Sequence, residues 1–142
     1  MANFRGVVKI IVYNDNGNVL VLKRNKETTV FPGMWDLPGG KIEFGENFQS
    51  AVIREISEEI KIDVDAVSNP VFGWTGIAYN KDTQFFGYLF IAKHVAGNVI
   101  LSHEHTDYRW INRAELEQLD IHQDFKDMIY KFFDKKLDDF NY

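Results

Sequence analysis

The stretch from Trp35 to Ile62 carries three glutamates whose spacing constrains the local fold more than any other feature of the chain. Glu55, Glu58 and Glu59 stand at positions i, i+3 and i+4, so a helix places all three on one face. Like charges at this spacing repel one another and cost helix stability. Such a pattern is either a solvated acidic face or a set of carboxylates that converge on a cation.

Two neighbouring features favour the cation site. The predicted helix is anchored by an apolar side formed by Val52, Ile53, Ile56 and Ile60. A predicted tight turn at residues 38–40, Pro-Gly-Gly, precedes the helix and can bring backbone carbonyls close to the carboxylates. Carboxylate and carbonyl oxygens are the ligands that hard divalent cations prefer. We expect Asn47 to be the N-cap of this helix.

The same stretch resembles the signature of the Nudix hydrolases, the Nudix box. The family pattern is Gly, five residues, Glu, seven residues, and then Arg-Glu-aliphatic-x-Glu-Glu-x-Gly-aliphatic. This chain has Gly40, then Glu46, then REISEEIKI from residue 54, with Lys61 where the pattern has Gly. The lead-in at residues 33–39, GMWDLPG, is similar to that of the MutT-like branch.

The resemblance implies an α/β fold, a Nudix-type α/β/α sandwich with a mixed β-sheet, in a single domain over residues 1–142. It implies a pyrophosphohydrolase that needs Mg²⁺, with Mn²⁺ as an alternative, and that cleaves a diphosphate linkage in a nucleotide. A nucleoside triphosphate would yield a monophosphate and pyrophosphate, and related nucleoside diphosphate derivatives are the other substrate class. The alternative is a non-catalytic Nudix-fold module that binds a nucleotide. Loss of box carboxylates would favour that module, and none is missing.

The resemblance also assigns roles to individual residues. Glu55, Glu58 and Glu59 are the expected metal ligands, together with the backbone carbonyl of Gly39. The expected catalytic residues are Glu55, Glu58 and Glu104, and the general base is either Glu55 or Glu104. A bound Mg²⁺ can neutralise phosphate charge, activate water and stabilise the leaving group.

The predicted substrate-binding residues are Arg24, Gly40 and Lys41. Arg24 ends a predicted strand, and it either contacts a substrate phosphate or faces solvent. Arg54 is expected to pair with a box carboxylate and orient it. Glu46 is expected near the helix start, where its charge meets the positive end of the helix dipole. Its role there is either structural or in the metal site.

The polar segment from Ser102 to Asp107 offers a further carboxylate. Glu104 best matches the loop carboxylate that the family often places over the metal, with Asp107 as the less favoured substitute. His103 and His105 would share a face of a strand and could bind zinc, but such a site needs further ligands and no HExxH motif is present. We therefore do not favour zinc.

Composition excludes several classes of protein. The chain of 142 residues contains no cysteine, which rules out disulfides and suits a cytoplasmic location. A net charge of −5 argues against a nucleic-acid polymer as partner, whereas a nucleotide held through a cation is compatible with it. No apolar run approaches the ~20 residues of a membrane span. A monomer and a homodimer are both compatible with the sequence.

Hydrophobic periodicity predicts the remaining elements. Strands are expected at 6–13, 18–23, 71–78, 83–92 and 107–111, and helices at 47–60, 113–119 and 123–137. The strand at 83–92 is apolar on both faces and should be covered on both sides. Five aromatic residues could stack on a base, although each also suits the core: Phe31, Trp35, Trp74, Phe86 and Trp110. Gln123 and Asp124 are candidate polar base readers.

Overall fold

The computed structural model describes residues 3–65, 67–77 and 81–137. These ranges contain eight strands and three helices. In chain order the elements are β1 (Asn3–Tyr13), β2 (Val19–Arg24), β3 (Trp35–Asp36), β4 (Gly39–Lys41), α1 (Phe48–Glu59), β5 (Asp63–Val64), β6 (Phe72–Ile77), β7 (Thr83–Ala96), β8 (His105–Ile111), α2 (Arg113–Glu117) and α3 (Gln123–Phe133). None of these helices is long and apolar enough to cross a membrane.

The strands form a mixed sheet built around the parallel pair β1 and β7, which stay in register from Asn3↔Thr83 to Tyr13↔Lys93. The other edge of β7 pairs with β6 and β5, both antiparallel. The other edge of β1 changes partner along its length. It pairs with β4 at residues 7–9 and with β2 at Tyr13↔Val19. β2 then diverges to pair with β3 and β8, and this divergence leaves room for β4 beside β1.

Two apolar layers cover the two faces of this sheet. On one face, Val8, Ile10 and Val12 of β1 pack with the buried residues of α1. On the other face, side chains of β1, β2 and β7 pack against α2 and α3. β7 contributes Phe90 to the first layer and Leu89 to the second, which confirms that this strand is covered on both sides. The predicted α/β/α sandwich with a mixed sheet is therefore confirmed.

Local hydrogen bonds define the start of α1. The Asn47 side chain accepts a hydrogen bond from the Ser50 backbone N–H at 2.9 Å, and the Ser50 hydroxyl accepts one from the Asn47 N–H at 3.1 Å. The predicted N-cap is therefore confirmed as half of a capping box. The prediction that Ile53 anchors the helix is wrong, because this residue is 51% exposed. It lies about 100° around the helix from the buried Val52.

The segment at residues 38–40, predicted as a tight turn, is different in the structure. Residues 39–41 form β4, which lies antiparallel to β1. Gly39 has φ +140°, and a Cβ there would collide with the carbonyl of Val8. A short strand with two glycines has no alternation of polar and apolar residues, so periodicity could not reveal it. The two-residue strands β3 and β5 are also too short to show an alternation, so periodicity could not reveal them either.

The other predicted elements are present with shifted ends. β7 continues to Ala96 rather than ending at residue 92, and α3 ends at Phe133 rather than at 137. The strand predicted at 71–78 is β6, and position 78 lies outside the described residues. α1 ends at Glu59 and Lys61 adopts φ +52°. Position 61 of the box thus needs the left-handed conformation that Gly adopts freely, and here a lysine adopts it with some strain.

Candidate functional site

The three box glutamates differ in their exposure. Glu55 is 9% exposed and Glu59 is 4% exposed, whereas the Glu58 side chain is 60% exposed. Successive helical residues differ by about 100° in direction, so Glu59 turns towards the sheet where Glu58 turns towards solvent. The expectation that all three share one solvated or metal-binding face is therefore only partly correct.

The glycines of β4 position the two buried carboxylates. The Gly39 N–H donates a hydrogen bond to Glu59 Oε1 at 2.7 Å. A Cβ on Gly40 would lie 2.6 Å from Glu55 Oε1, so a side chain at that position would displace the Glu55 carboxylate. The Gly39 carbonyl remains a predicted metal ligand, and the structure adds that its amide orients Glu59.

Arg54 connects the glutamates of the box to one another. Its Nε and Nη2 donate to the two carboxylate oxygens of Glu46 at 2.7 and 2.9 Å. Its Nη1 donates to Glu55 at 3.0 Å and to Glu58 at 3.2 Å. Its Nη2 also donates to the Lys41 carbonyl at 2.9 Å, which ties α1 to the end of β4. The predicted pairing of Arg54 with a box carboxylate is confirmed.

The contacts of Glu46 favour the structural role. Besides binding Arg54, its Oε1 accepts a hydrogen bond from the Glu43 N–H at 2.8 Å. The hydrogen bond from Arg54 holds the pKa of Glu46 below its ordinary value. Glu46 therefore closes the loop between β4 and α1 and keeps Arg54 beside Glu55.

Three donor groups converge beyond the end of α1. Glu59, Glu104 and His105 each offer one ligand atom, and these atoms lie within 4.8 Å of one another. Glu104 is exposed, as expected for a loop carboxylate over the site, whereas His105 opens β8 and is 5% exposed. Its Nδ1 lies 3.7 Å from Glu59 Oε2. Among the described residues, neither ring nitrogen of His105 has a hydrogen-bond partner.

The two histidines of this segment do not share a face. His103 is exposed in a turn before β8, while His105 is buried at the start of that strand. Sequence reasoning considered His105 only as half of a zinc pair and missed its place beside Glu59. The signal available in the sequence was that His105 directly follows Glu104, but this adjacency does not reveal that His105 is buried.

Burial sets the charges of this site. It raises the pKa of Glu59 to about 8, although Lys9 and the Gly39 N–H oppose the shift. Burial also raises the pKa of Glu55, against the effect of Arg54. It lowers the pKa of His105 to about 4. Burial therefore disfavours an ion pair between His105 and Glu59, because it opposes the charged form of both groups.

A second polar cluster is formed by Asp36 of β3 with Lys9 and Arg24. Lys9 Nζ donates to Asp36 Oδ2 at 2.9 Å and to the Leu37 carbonyl at 3.1 Å. Arg24 donates from Nη1 to the same Asp36 oxygen at 3.2 Å and from Nε to the Val30 carbonyl at 2.7 Å. Sequence reasoning missed Lys9, although a lysine inside the apolar run VVKIIVY was a visible anomaly.

The predicted metal ligands and the predicted substrate contacts do not all lie together in one site. Of the four predicted metal ligands, Glu59 belongs to the convergent group, while Glu55 faces Arg54 and Glu58 is exposed. Arg24 is 18% exposed at its side chain and is held by Asp36, so it is neither free nor fully solvated. Lys41 is exposed at the end of β4.

The candidate stacking residues are mostly part of the core. Trp35 is buried, and Trp74 packs edge-on against Phe125 with ring centroids 5.9 Å apart. Phe31 is exposed and lies 4.9 Å from the His122 ring. The candidate base readers follow His122, and Gln123 donates to Asp127 at 2.7 Å. Phe31 and Phe86 are thus the candidates with exposed side chains, at 37% and 39%.

The donor set fits a divalent cation. The buried Glu59 has a raised pKa, and the buried imidazole of His105 has no hydrogen-bond partner among the described residues. The protein alone therefore does not fully replace the hydration that these groups lose on burial. A cation supplies that compensation by favouring the ionised carboxylate and accepting a nitrogen lone pair.

Comparison with known proteins agrees with this fold. A family model described as NUDIX domain matches residues 3–132. The nucleoside triphosphatase NudI of Enterobacter sp. is 32% identical over 127 residues, which cover 84% of this chain and 89% of that protein. An uncharacterized Nudix hydrolase of Listeria monocytogenes is 31% identical over 116 residues, 80% of this chain and 66% of the relative, slightly under two thirds. The crystal structure of a MutT protein from Methanosarcina mazei Go1 has the same fold, with a TM-score of 0.83, 24% identity, and coverage of 94% of this chain and 96% of that chain.

Proposed function

Because the chain belongs to the Nudix hydrolase family, we propose that it is a Mg²⁺-dependent pyrophosphohydrolase of the MutT-like branch. Its substrate is a nucleotide with a diphosphate linkage, and nucleoside triphosphates are the first class to test. The convergence of Glu59 and Glu104 beside the buried end of α1 carries this proposal. The relative named nucleoside triphosphatase, similar over 84% of this chain, supports the substrate class.

The proposed metal ligands are Glu55, Glu58 and Glu59, with the Gly39 carbonyl, and the Glu104 carboxylate converges on that of Glu59. Mg²⁺, or Mn²⁺ in its place, would neutralise charge on the phosphate oxygens and activate a water for attack. Arg54 holds Glu55 and Glu58 near one another, which reduces the repulsion between them. The Gly39 N–H orients Glu59 before substrate arrives, and the absence of a side chain at Gly40 leaves space for the Glu55 carboxylate.

We propose Glu104 as the general base. It is exposed and can therefore reach a water beside the substrate, and it lies next to Glu59. Glu55, the other candidate, is buried and already accepts a hydrogen bond from Arg54, so it is less accessible to that water. Attack by that water on one phosphorus of the linkage releases the nucleoside monophosphate and pyrophosphate when the substrate is a triphosphate.

Arg24 and Lys41 are the proposed phosphate contacts, with Gly40 leaving space beside them. Arg24 is shared with Asp36, so substrate would compete with an existing hydrogen bond. The exposed Phe31 is the proposed surface for the base. A single catalytic domain is supported by the family match over residues 3–132, and the cytoplasmic location and the choice of monomer or homodimer stay predictions.

The test is a substrate screen with purified protein and Mg²⁺ or Mn²⁺. The panel contains nucleoside triphosphates, oxidised nucleotides, nucleotide sugars and dinucleoside polyphosphates, and products are separated by ion-exchange chromatography. We expect a nucleoside monophosphate and pyrophosphate from at least one triphosphate, and no turnover with chelator. Release of orthophosphate alone, or turnover that survives the chelator, would contradict the proposal.

A further inference from the structure

We propose that His105 is a ligand of the metal site beside Glu59, so that the site is a mixed nitrogen–oxygen centre. This inference rests on the proposed metal-dependent function and adds a nitrogen donor to its all-oxygen ligand set. It predicts that the protein binds a cation that favours imidazole more, such as Co²⁺, more tightly relative to Mg²⁺ than an all-oxygen site would.

The environment of His105 indicates that its ring nitrogens are available to bind a metal ion. Buried polar side chains in proteins are almost always hydrogen-bonded, because an unpaired one loses its hydration without a replacement. His105 is 5% exposed, and neither ring nitrogen has a partner among the described residues. Its nearest acidic neighbour is Glu59 Oε2, 3.7 Å from Nδ1, which is too far for a hydrogen bond.

The same distance suits two ligands of one ion. Ligand atoms that each lie about 2.1 Å from an ion are separated from one another by about 3 to 4.2 Å. The 3.7 Å between His105 Nδ1 and Glu59 Oε2 falls inside that range. The Glu104 carboxylate offers an atom within 4.8 Å of the ligand atoms of Glu59 and His105, so the proposed base lies beside the proposed ion.

The fold holds His105 in this orientation. β8 pairs antiparallel with β2, and the register shifts between Lys23 and Arg24, so that Arg24 faces His105 and Lys23 faces Asp107. This leaves Thr106 as the extra residue of a bulge, and bulges re-aim side chains beside functional sites. The His105 N–H also donates to the Ser102 carbonyl at 3.3 Å. The imidazole is therefore preorganised, as a ligand on a strand should be.

The direct test is pulsed electron paramagnetic resonance on the metal-free full-length protein reconstituted with Mn²⁺, without substrate. A directly bound imidazole nitrogen couples to the Mn²⁺ electron spin. We expect this ¹⁴N coupling in the wild type and in the matched control His103→Asn, whose histidine is exposed two residues away. We expect it to be lost in His105→Asn. Bound Mn²⁺ without ¹⁴N coupling in the wild type, or coupling that persists in a folded His105→Asn, overturns the inference.

Binding measurements provide a second readout that does not need turnover. We expect His105→Asn to weaken Co²⁺ binding at least about tenfold, the lower end for a group that supports a metal site. Mg²⁺ binding should weaken less than Co²⁺ binding, and His103→Asn should leave both unchanged. An equal loss for both cations overturns the nitrogen-ligand role. If His105→Asn does not fold, the ¹⁴N coupling of the wild type and of His103→Asn decides, because its absence overturns the inference.

These outcomes separate the two proposals. Mn²⁺ that binds through oxygens alone rejects the role of His105 and leaves the proposed hydrolase intact. Failure of the wild type to bind any of the three cations rejects the metal site itself, and the inference with it. Activity with Mg²⁺ does not enter the decision.

Discussion

The two longest helices lie on opposite faces of the sheet and bury different chemistry. α1 buries Glu55 and Glu59 together with its apolar residues, whereas the buried residues of α3 are Phe125, Met128 and Ile129. The carboxylates of α1 lose hydration without full compensation, so burial raises their pKa values. α3 therefore stabilises the fold, whereas α1 gives up some stability by burying the carboxylates that we propose for the chemistry.

The largest expected effect on stability is in α3. Ile129 is fully buried, and Ile129→Ala should lower the free energy of unfolding by about 2–5 kcal/mol, because it leaves a cavity. The kcat of the folded variant at low temperature should stay within about twofold of the wild type. Urea denaturation measures the first quantity. The control is Ile53→Ala on the exposed side of α1, expected within about 0.5 kcal/mol of the wild type. Equal losses in both variants would contradict the assignment of the two surfaces.

The largest expected effect on activity is in α1. Glu59→Gln keeps the size of the side chain and removes its charge. We expect kcat to fall at least about 10²-fold, comparable to the loss of a major electrostatic contributor. The control Glu117→Gln removes a charge from the exposed face of α2 and should have wild-type kcat. Steady-state kinetics with Mg²⁺ decides, and near-wild-type turnover in Glu59→Gln would remove this residue from the site.

Substitution of the exposed Glu104 should affect catalysis without affecting stability. Glu104→Gln should lower kcat at least about 10²-fold if Glu104 is the base, with little change in melting temperature. The acidic limb of the pH–rate profile should shift or disappear, and it should keep its shape if Glu104 only holds metal. Asp107→Asn is the companion variant. Wild-type rates in both variants would return the role of base to Glu55.

The raised pKa of Glu59 predicts how the stability of the metal-free protein depends on pH. Folding raises this pKa from 4.5 to about 8, so the folded state binds more protons between these values and its stability falls as pH rises through them. Folding lowers the His105 pKa from 6.5 to about 4, which makes stability rise with pH up to about 6.5.

Between pH 6.5 and 8 the contribution of Glu59 therefore acts without opposition from His105. With chelator present, the melting temperature of the wild type should fall across this window more steeply than that of Glu59→Gln. Parallel curves would show that Glu59 is ionised in the metal-free protein. The same comparison for a substitution in α3 should give no such difference, because the buried residues of that helix do not titrate.

The smallest expected effects are at the ends of the two helices. Each helix is followed by a lysine with positive φ, +52° at Lys61 after α1 and +57° at Lys135 after α3. Replacement of either by glycine should raise the free energy of unfolding by about 0.5–1 kcal/mol, because glycine adopts this conformation without strain. Activity should stay within several-fold of the wild type in both. A large loss in Lys61→Gly alone would show that Lys61 contributes to the site.

Several features of this protein could be predicted from local sequence because their causes are local. The capping box at Asn47 and Ser50 uses residues three apart, and Arg54 meets the adjacent Glu55 and, one helical turn further on, Glu58. The longer strands and helices follow from periodicity, because each buries one face or both. The box glutamates were also identifiable, since their charges and spacing leave few alternatives.

Only the tertiary structure decided which of these groups meet. Glu59 and His105 are far apart in sequence, and their contact depends on β8 pairing with β2 at a bulge. β4 exists because β2 diverges from β1 and leaves an edge for Gly39 and Gly40. Likewise, Lys9 is buried because Asp36 pairs with it across the sheet. Such long-range contacts depend on how the whole chain closes on itself, and a pattern within one segment carries no record of them.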